Sequence, residues 1–546
     1  MSNLSQCLHA FFTEFLNFGV KHVVICPGSR NFPIIKTVVA ANKFVKIHSA
    51  VDERSAGFLA LGLAQQTNSP VVVCCTSGTA SLNLYPAITE AYYSETPIIV
   101  LTADRPAASV DNWEGQCIRQ NQVFDQHVVA SFVSPENLSD ESVFKQCALN
   151  SIKTSLYDKG PVHINMPFAE PFYSPWDEQK FTLNLIEPEP IETNDVPQDL
   201  IDQIKNAKNI LWLNGASRNQ IAVQYPANLV AWSDVTSNVN QTTTHWESLV
   251  SSSDDLNIPK PDLLITTGKY FVSKKLRHYL RSVNNLNHWH LNDGQAIPTP
   301  FGTNPISIPC EYQSVANAVG NHYSDTAFKT RVSAMNQTLK SHIDKLNWVK
   351  LSEMSAIRDL YGLLPSRAIL HISNSMPIRY VGLMERREDI FHAANRGTSG
   401  IDGCTSTALG ATFATNQNVF LFTGDIAFLY DINALWQSHI PDNLRIVVFN
   451  NSGGGIFELI DGPNQHPESL VFQTTTHNRS ISELANHFGL SYLIANESSD
   501  TDEVYNQFIQ SNKPTILEVK TDRHANNRFY KSYTNAVIES LNNDRE

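Results

Sequence analysis

Between Val419 and Gly455, two short apolar runs, each ending in polar residues, bracket one helical stretch, and few folds accommodate that order. Val419–Phe422 predicts a buried strand that stops at Thr423-Gly424-Asp425. Phe428, Ile432, Leu435 and Trp436 then recur at three- and four-residue steps, the spacing of a helix face, until Pro441-Asp442-Asn443 breaks it. Ile446–Phe449 predicts a second strand, ending in Asn450-Asn451-Ser452-Gly453. Strand, helix and strand make a parallel βαβ unit, and open parallel sheets bind ligands beyond the carboxyl ends of their strands. Asp425 and Asn451 are therefore expected at one rim.

A carboxylate, a side-chain amide and a glycine-rich main chain suit Mg²⁺, which takes oxygen ligands from one or two protein groups plus phosphate and water. A helix starting just after Asp425 would add free N–H groups for a phosphate. The pattern predicts a Mg²⁺-diphosphate anchor. The competing reading is that Asp425 caps a helix and the two asparagines make a turn.

Composition narrows the class. The chain has 546 residues, enough for several domains, with 42% hydrophobic and 17% charged residues. A net charge of −13 with no basic run argues against a nucleic-acid partner. Leu4, Leu8, Phe11, Phe12, Phe15 and Leu16 trace one face of an N-terminal helix with no basic segment before it, so no signal peptide is expected. No apolar run has the roughly 18 residues of a membrane span. The eight cysteines are scattered, with Cys74 and Cys75 inside an apolar strand, which predicts core thiols in a cytoplasmic protein and no zinc site.

Strand-like runs recur along the chain. Val23–Cys26, Val45–Ser49, Val71–Cys75, Ile98–Leu101 and Val162–Met166 come first; Ile186–Leu200, rich in proline and acid, reads as a linker. Ile210–Leu213, Leu229–Ala231, Leu263–Thr266 and His288–Leu291 follow, then a polar, helix-like region from about 325 to 350. The last set is Ala368–Ile372, Ile390–Ala393, Val419–Phe422, Ile446–Phe449 and Thr515–Val519. Strands alternating with helices predict doubly wound parallel sheets. The expected organisation is three α/β domains, at 1–182, 183–348 and 349–546. A faint repeat relates the outer two: Ala60-Leu61-Gly62-Leu63-Ala64 and Thr76-Ser77-Gly78-Thr79 in one, Ala408-Leu409-Gly410-Ala411-Thr412 and Thr423-Gly424-Asp425 in the other.

Gly424-Asp425-Ile426 followed by Asn450-Asn451 resembles the Gly-Asp-Gly…Asn-Asn motif of thiamine-diphosphate (ThDP) enzymes, with Ile426 at the third position in place of glycine. That resemblance implies a pyrimidine-binding domain first, a central domain, and a diphosphate-binding domain last. It implies a glutamate that hydrogen-bonds N1′ of the cofactor's pyrimidine and so turns its amino group into a base; a carboxyl against an apolar wall has the raised pKa this needs. Glu53, after the strand Val45–Ser49, fits; its alternative is a helix cap. Ile401 is the candidate support beneath the bent cofactor, or else an ordinary core residue. The implied cofactor-binding set is Glu53, Thr76, Gly78, Ile401, Gly424, Asp425, Ile426, Asn451, Gly453 and Gly454, with Asp425, Asn451 and Gly453 on Mg²⁺ or Mn²⁺.

CPGSR (26–30), DERSAGFLALGLA (52–64), TSGTASLNLYPAITEA (76–91), LTADRP (101–106), GPVHINMPF (160–168), NSMPIR (374–379) and NRGTSGIDGCTSTALG (395–410) sharpen the likeness. With GDIAFLYDINAL (424–435) and NNSGGGIF (450–457), they resemble the 2-succinyl-5-enolpyruvyl-6-hydroxy-3-cyclohexene-1-carboxylate synthase (MenD) family of menaquinone biosynthesis. The resemblance implies a transferase that decarboxylates 2-oxoglutarate and adds the succinyl carbanion 1,4 to isochorismate, in a homodimer or homotetramer whose active sites join two subunits. Both substrates are dicarboxylates, and a guanidinium fork clamps a carboxylate. Arg30, Arg105, Arg379 and Arg396 stand at predicted strand ends. Ser29, Gln116 and Ser375 are implied as polar contacts, and Ile456 and Phe457 as apolar walls. Ser273-Lys274-Lys275 resembles the family's Ser-Lys-Arg, with Lys275 in place of arginine. His48, His163 and His392 read as structural. The alternatives are another ThDP carboligase or decarboxylase, a flavin or nicotinamide dehydrogenase, for which no GxGxxG follows a strand, and a non-catalytic relative.

Overall fold

The computed structural model describes residues 2–136, 140–173, 180–186, 193–251, 258–292, 297, 299–459 and 462–543. Of the linker predicted at Ile186–Leu200, residues 187–192 lie outside the described residues.

Three sheets carry the fold. The first contains β1 (His22–Ile25), β2 (Lys46–Ser49), β3 (Val71–Cys75), β4 (Ile98–Asp104), β5 (Ala130–Val133) and β6 (Val162–Pro167), in the order β2-β1-β3-β4-β6-β5. The second contains β7 (Ile210–Asn214), β8 (Val230–Ser233), β9 (Leu263–Thr267), β10 (Asn287–Leu291) and β11 (Ile306–Ile308), in the order β11-β10-β9-β7-β8. The third contains β12 (Ile369–Ile372), β13 (Phe391–Ala393), β14 (Val419–Gly424), β15 (Leu444–Asn450), β16 (Ser491–Ala495) and β17 (Thr515–Lys520), in the order β13-β12-β14-β15-β17-β16. Neighbouring strands within each sheet run parallel. The first and third orders are the same pattern, so the faint repeat in the sequence is a repeat of topology.

The third sheet is sandwiched, and its strands show it. Val419 and Leu421 of β14, with Ile446 and Val448 of β15, join a core shared with the first block. Phe420, Phe422, Val447 and Phe449 point to the opposite face and join a core shared with the middle block. Alternate residues of a strand face opposite sides, so a strand buried on both faces reads as one continuous apolar run. The N-terminal helix Ser2–Asn17 buries Leu8, Phe11, Phe12, Phe15 and Leu16 on the outer face of the first sheet.

The outer blocks meet through two helices, Glu53–Thr67 and Cys404–Thr412, which approach each other at Gly62 and Gly410. A Cβ on Gly62 would lie 2.0 Å from Thr407 O, and one on Gly410 would lie 2.2 Å from Leu59 O. The contact is reciprocal, and it pairs the two glycines that the repeat aligned. Only a residue without a side chain lets the backbones come this close.

The helical stretch after β14 is shorter than its periodicity predicts. An α-helix covers Asp425–Tyr430, a 3₁₀ turn covers Ile432–Leu435, and Trp436 is 57% exposed and does not join the core. Among the described residues no helix is long and apolar enough to cross a membrane.

Candidate active site

The third sheet presents Asp425 and Asn451 at neighbouring strand ends, as expected. Gly424 closes β14, and Asp425 opens the following helix. Asp425 Oδ1 accepts the Ile426 N–H at 2.7 Å, so this donor serves the carboxylate and is not available to a phosphate. Asp425 Oδ2 accepts the Gly453 N–H at 2.9 Å and lies 3.2 Å from His477 Nε2. Burial raises the Asp425 pKa, while His477 and the two amides oppose the rise.

The two asparagines after β15 divide the work. Asn450 turns inward: its Nδ2 donates to Glu518 Oε1 at 2.7 Å and its Oδ1 accepts the Ser452 N–H at 3.0 Å. Asn451 faces the rim, its Nδ2 donating to Glu353 Oε1 at 2.5 Å. Its Oδ1 is buried without a partner. A buried polar oxygen left unpaired is costly, and a cation is one ligand that would complete it. Glu353, pushed up to about 8 by burial, with the Asn451 hydrogen bond opposing the rise and the Asp425 charge adding to it, stands behind this pair. Gly453 has φ +155, and a Cβ there would sit 2.8 Å from Thr474 O. Gly454 donates its N–H to Thr474 O at 2.6 Å. Ile426, Ile456 and Phe457 are half-buried along the same edge. Among the described residues no group of three or more His, Cys, Asp or Glu gathers for a metal; the side-chain oxygens at this rim are the Asp425 carboxylate and the Asn451 amide, with the Glu353 carboxylate behind them.

The first sheet presents Glu53. The cap of its helix is Asp52, whose Oδ1 accepts Arg54 N–H at 2.9 Å, so Glu53 is not the cap. Glu53 is half-buried, and among the described residues its one hydrogen bond to a side chain is a long one from Asn83 Nδ2, at 3.5 Å. Burial raises its pKa, and the Asp52 charge adds to this. Thr76 is buried against Gly28, where a Cβ would lie 2.3 Å from Thr76 Cβ. Gly78, at φ +83, donates its N–H to Gln120 Oε1 at 3.1 Å.

The four arginines fall into two pairs. Arg30 and Arg105 belong to the first rim, where both already have protein partners. Arg30 donates to Phe168 O and Glu170 Oε1, each at 2.9 Å, and stacks on Phe172. Arg105 donates to Gly115 O and Glu114 Oε2, each at 2.9 Å, beside the exposed Gln116. Ser29 Oγ shares a 2.6 Å hydrogen bond with Tyr173. Each of these arginines is thus met by an exposed carboxylate, Glu170 or Glu114. Arg379 and Arg396 belong to the third rim; burial lowers the pKa of both, and the Arg396 charge lowers that of Arg379 further. Arg379 donates to Ser375 O, and Arg396 Nη1 donates to Asn374 Oδ1 at 2.6 Å. Asn374 Nδ2 also holds the backbone at Asn395 O (2.8 Å) and Gly400 O (2.6 Å), one residue before the half-buried Ile401.

Lys275 is exposed, on a helix Lys274–Arg281 capped by Ser273. Arg277, on the same helix, lies in the electrostatic field of Arg379 and Arg396, with Asp234 and Glu247 close by. Sequence reasoning missed Arg277, Glu353 and His477. The helical step from Ser273 was a usable signal for Arg277. Glu353 and His477 reach the site only through tertiary contact. His163 and His392 are buried and hydrogen-bonded to Thr102 and Tyr361, as structural histidines are, and His48 pairs with His22 at 3.0 Å.

Residues 7–128 match the family described as thiamine pyrophosphate enzyme, N-terminal TPP binding domain, and residues 378–519 match its C-terminal TPP binding domain. Thiamine pyrophosphate is ThDP, and the two matches fall on the first and third sheets. A 2-succinyl-5-enolpyruvyl-6-hydroxy-3-cyclohexene-1-carboxylate synthase of Flavobacterium psychrophilum is 36% identical over 543 residues, covering 94% of this chain and 96% of the relative. The synthase of Cytophaga hutchinsonii is 36% identical, covering 96% and 97%. That of Bacteroides fragilis is 35% identical, covering 94% and 96%. The chain belongs to this synthase family. It is a ThDP-dependent enzyme, and the fold is that of the ThDP enzymes. The synthase assignment also accounts for the middle sheet, which lies outside both domain matches but inside the span shared with these relatives. The unpartnered Asn451 Oδ1 beside Asp425, and the raised, half-buried Glu53, suit the two ends of the cofactor.

Proposed function

We propose that this chain carries out the full reaction of its family: decarboxylation of 2-oxoglutarate and transfer of the succinyl unit, by 1,4-addition, to isochorismate. The products are 2-succinyl-5-enolpyruvyl-6-hydroxy-3-cyclohexene-1-carboxylate and CO₂, in menaquinone biosynthesis. The observation that carries the reading is the division of labour between matching rims, with Glu53 on one and Asp425 with Asn451 on the other.

When bound, ThDP supplies a nucleophilic carbon and the electron sink for loss of CO₂. Glu53 would hold a proton against N1′ of the pyrimidine; because burial raises its pKa, that proton is retained closer to neutrality than on an exposed glutamate. Asp425, Asn451 Oδ1 and the Gly453 carbonyl would hold Mg²⁺, or Mn²⁺, against the diphosphate. Thr76, Gly78, Gly424, Ile426 and Gly454 would line the cofactor, and Ile401 would support its bend. Arg379 and Arg396, with Ser375, would grip one substrate; Arg30, Arg105, Ser29, Gln116 and Lys275 the other, with Ile456 and Phe457 as walls. Few groups here are tuned for proton transfer, which suits a reaction in which orientation of two dicarboxylates is the main demand.

The same reading includes the domain division at 1–182, 183–348 and 349–546, a cytoplasmic location and a homodimer or homotetramer. One feature of the single chain supports self-association. Arg54 donates to Tyr430 O at 2.7 Å and Asn433 to Asp52 Oδ2 at 2.8 Å, so within one chain the Glu53 helix starts at the far end of the helix that Asp425 begins. A second subunit would bring the opposite rims together. Mass spectrometry of the product formed from 2-oxoglutarate, isochorismate, ThDP and Mg²⁺ tests the reaction; turnover of pyruvate alone would replace it with another ThDP carboligase. A fully active monomer in sedimentation would remove the shared site.

A further inference from the structure

Glu90 lies on the helix Tyr85–Tyr93 of the first block and is wholly buried, at 0% exposure. Its Oε1 accepts the Gly397 N–H at 2.7 Å, and its Oε2 accepts the Thr398 N–H at 2.6 Å and the Thr398 hydroxyl at 2.7 Å. All three donors belong to the loop after β13, on the third block. A carboxylate is tolerated inside a protein when donors satisfy it, and charged acceptors make the stronger hydrogen bonds. Gly397 makes the arrangement possible. A Cβ there would lie 2.7 Å from Glu90 O and 3.0 Å from Ser94 N.

Arg396 immediately precedes these two amides. Asn374 holds one end of its guanidinium, while its Nε is buried with no partner. Its backbone is held from the other side by Glu90. A long cation reaching into a site loses less entropy on binding if its base is already fixed, and small misplacements of a gripping residue are expensive.

We propose that Glu90 is a positioning residue for substrate recognition: by clamping Gly397 and Thr398 it fixes the backbone from which Arg396 reaches a carboxylate of a dicarboxylate substrate. This rests on the reading of Arg396 as a substrate contact. It assigns a specificity role in the third block to a side chain of the first, within one chain.

The test compares Glu90→Gln, Thr398→Val and Arg396→Ala in the holoenzyme, with KM and kcat for both substrates, Mg²⁺-dependent ThDP binding by calorimetry, and thermal melting. Glu90→Gln turns an amide NH₂ toward one of the donors. The KM of the substrate that Arg396→Ala weakens should rise about tenfold, the loss of one charge-assisted hydrogen bond, while kcat and ThDP affinity hold. In an Arg396→Ala background the same change should add nothing to KM, because the two residues act as one unit. Thr398→Val leaves the carboxylate in place and removes only the hydroxyl donor. It should raise the same KM by a smaller factor, and it decides the matter if Glu90→Gln does not fold. An unchanged KM in both variants, with a lower melting temperature or active fraction, would make Glu90 a mere tie between blocks and overturn the proposal. If Arg396→Ala leaves both KM values unchanged, the substrate role of Arg396 fails instead, and separately.

Discussion

The first and third sheets have one strand order and two chemistries. Each is six-stranded and parallel, and each contributes one glycine to the same reciprocal crossing. Their rims nevertheless differ in kind. The first rim offers Glu53, half-buried, with one long hydrogen bond and a raised pKa, a group able to share a proton. The third offers Asp425, buried and bonded by two backbone amides, beside an Asn451 oxygen with no partner, a pair suited to a cation. A frame can be repeated while the residues just past the strand ends decide what each copy does, because those loops face outward and carry little of the core.

The largest expected effect separates the rims by readout. Glu53→Gln should lower kcat by roughly 10²-fold or more, the scale of a lost proton-handling group, while Mg²⁺-dependent ThDP binding measured by calorimetry persists. Asp425→Ala should do the opposite first, abolishing metal-dependent binding. Equal loss of binding in both variants would erase the distinction between the two rims.

The next effect probes what the blocks share. Gly62→Ala and Gly410→Ala each drive a methyl group into a backbone carbonyl, at 2.0 and 2.2 Å. Each should cost about 1–3 kcal/mol, the usual penalty of overpacking, in denaturant unfolding. Similar costs for the two would support a symmetric crossing; a loss in only one would break the symmetry.

The smallest effect concerns a group with no counterpart at the first rim. Glu353 keeps its proton to about 8 in the folded, metal-free protein, against an ordinary value of 4.5. Between those values the folded state binds the extra proton, so the contribution of this group to stability falls as pH rises and is flat above about 8. The melting temperature of the wild type relative to Glu353→Gln should therefore decline through that window and then level off.

Most of the frame was legible in the sequence because interior parallel strands are buried on both faces. Val71–Cys75 was read with its observed limits, and Val419–Phe422 and Ile446–Phe449 lie inside β14 and β15. The three strands that escaped reading, β5, β11 and β16, are all at sheet edges and mostly half-exposed or exposed. Their apolar signal is diluted by solvent-facing residues. The site was legible where its residues end strands, at Asp425 and Asn451. It was not legible where a side chain arrives from far along the chain, as Glu353 does to Asn451 and Glu90 to Gly397. Nor could spacing reveal that Arg30 and Arg105 are met by Glu170 and Glu114. At Ser273 the resemblance pointed to Lys275; Arg277, on the same capped helix, interacts with Arg379 and Arg396 and was not read.

The glycine crossing also governs how this molecule can open. Where Gly62 and Gly410 touch, main chain rests on main chain, leaving no compressible layer of side chains to absorb a hinge. The outer blocks must travel as a single piece. Admission of a cofactor and exit of a bulky product then fall to the surface segments around the rims, so exchange rates should respond to substitutions there and stay indifferent to the stiffness of the joint.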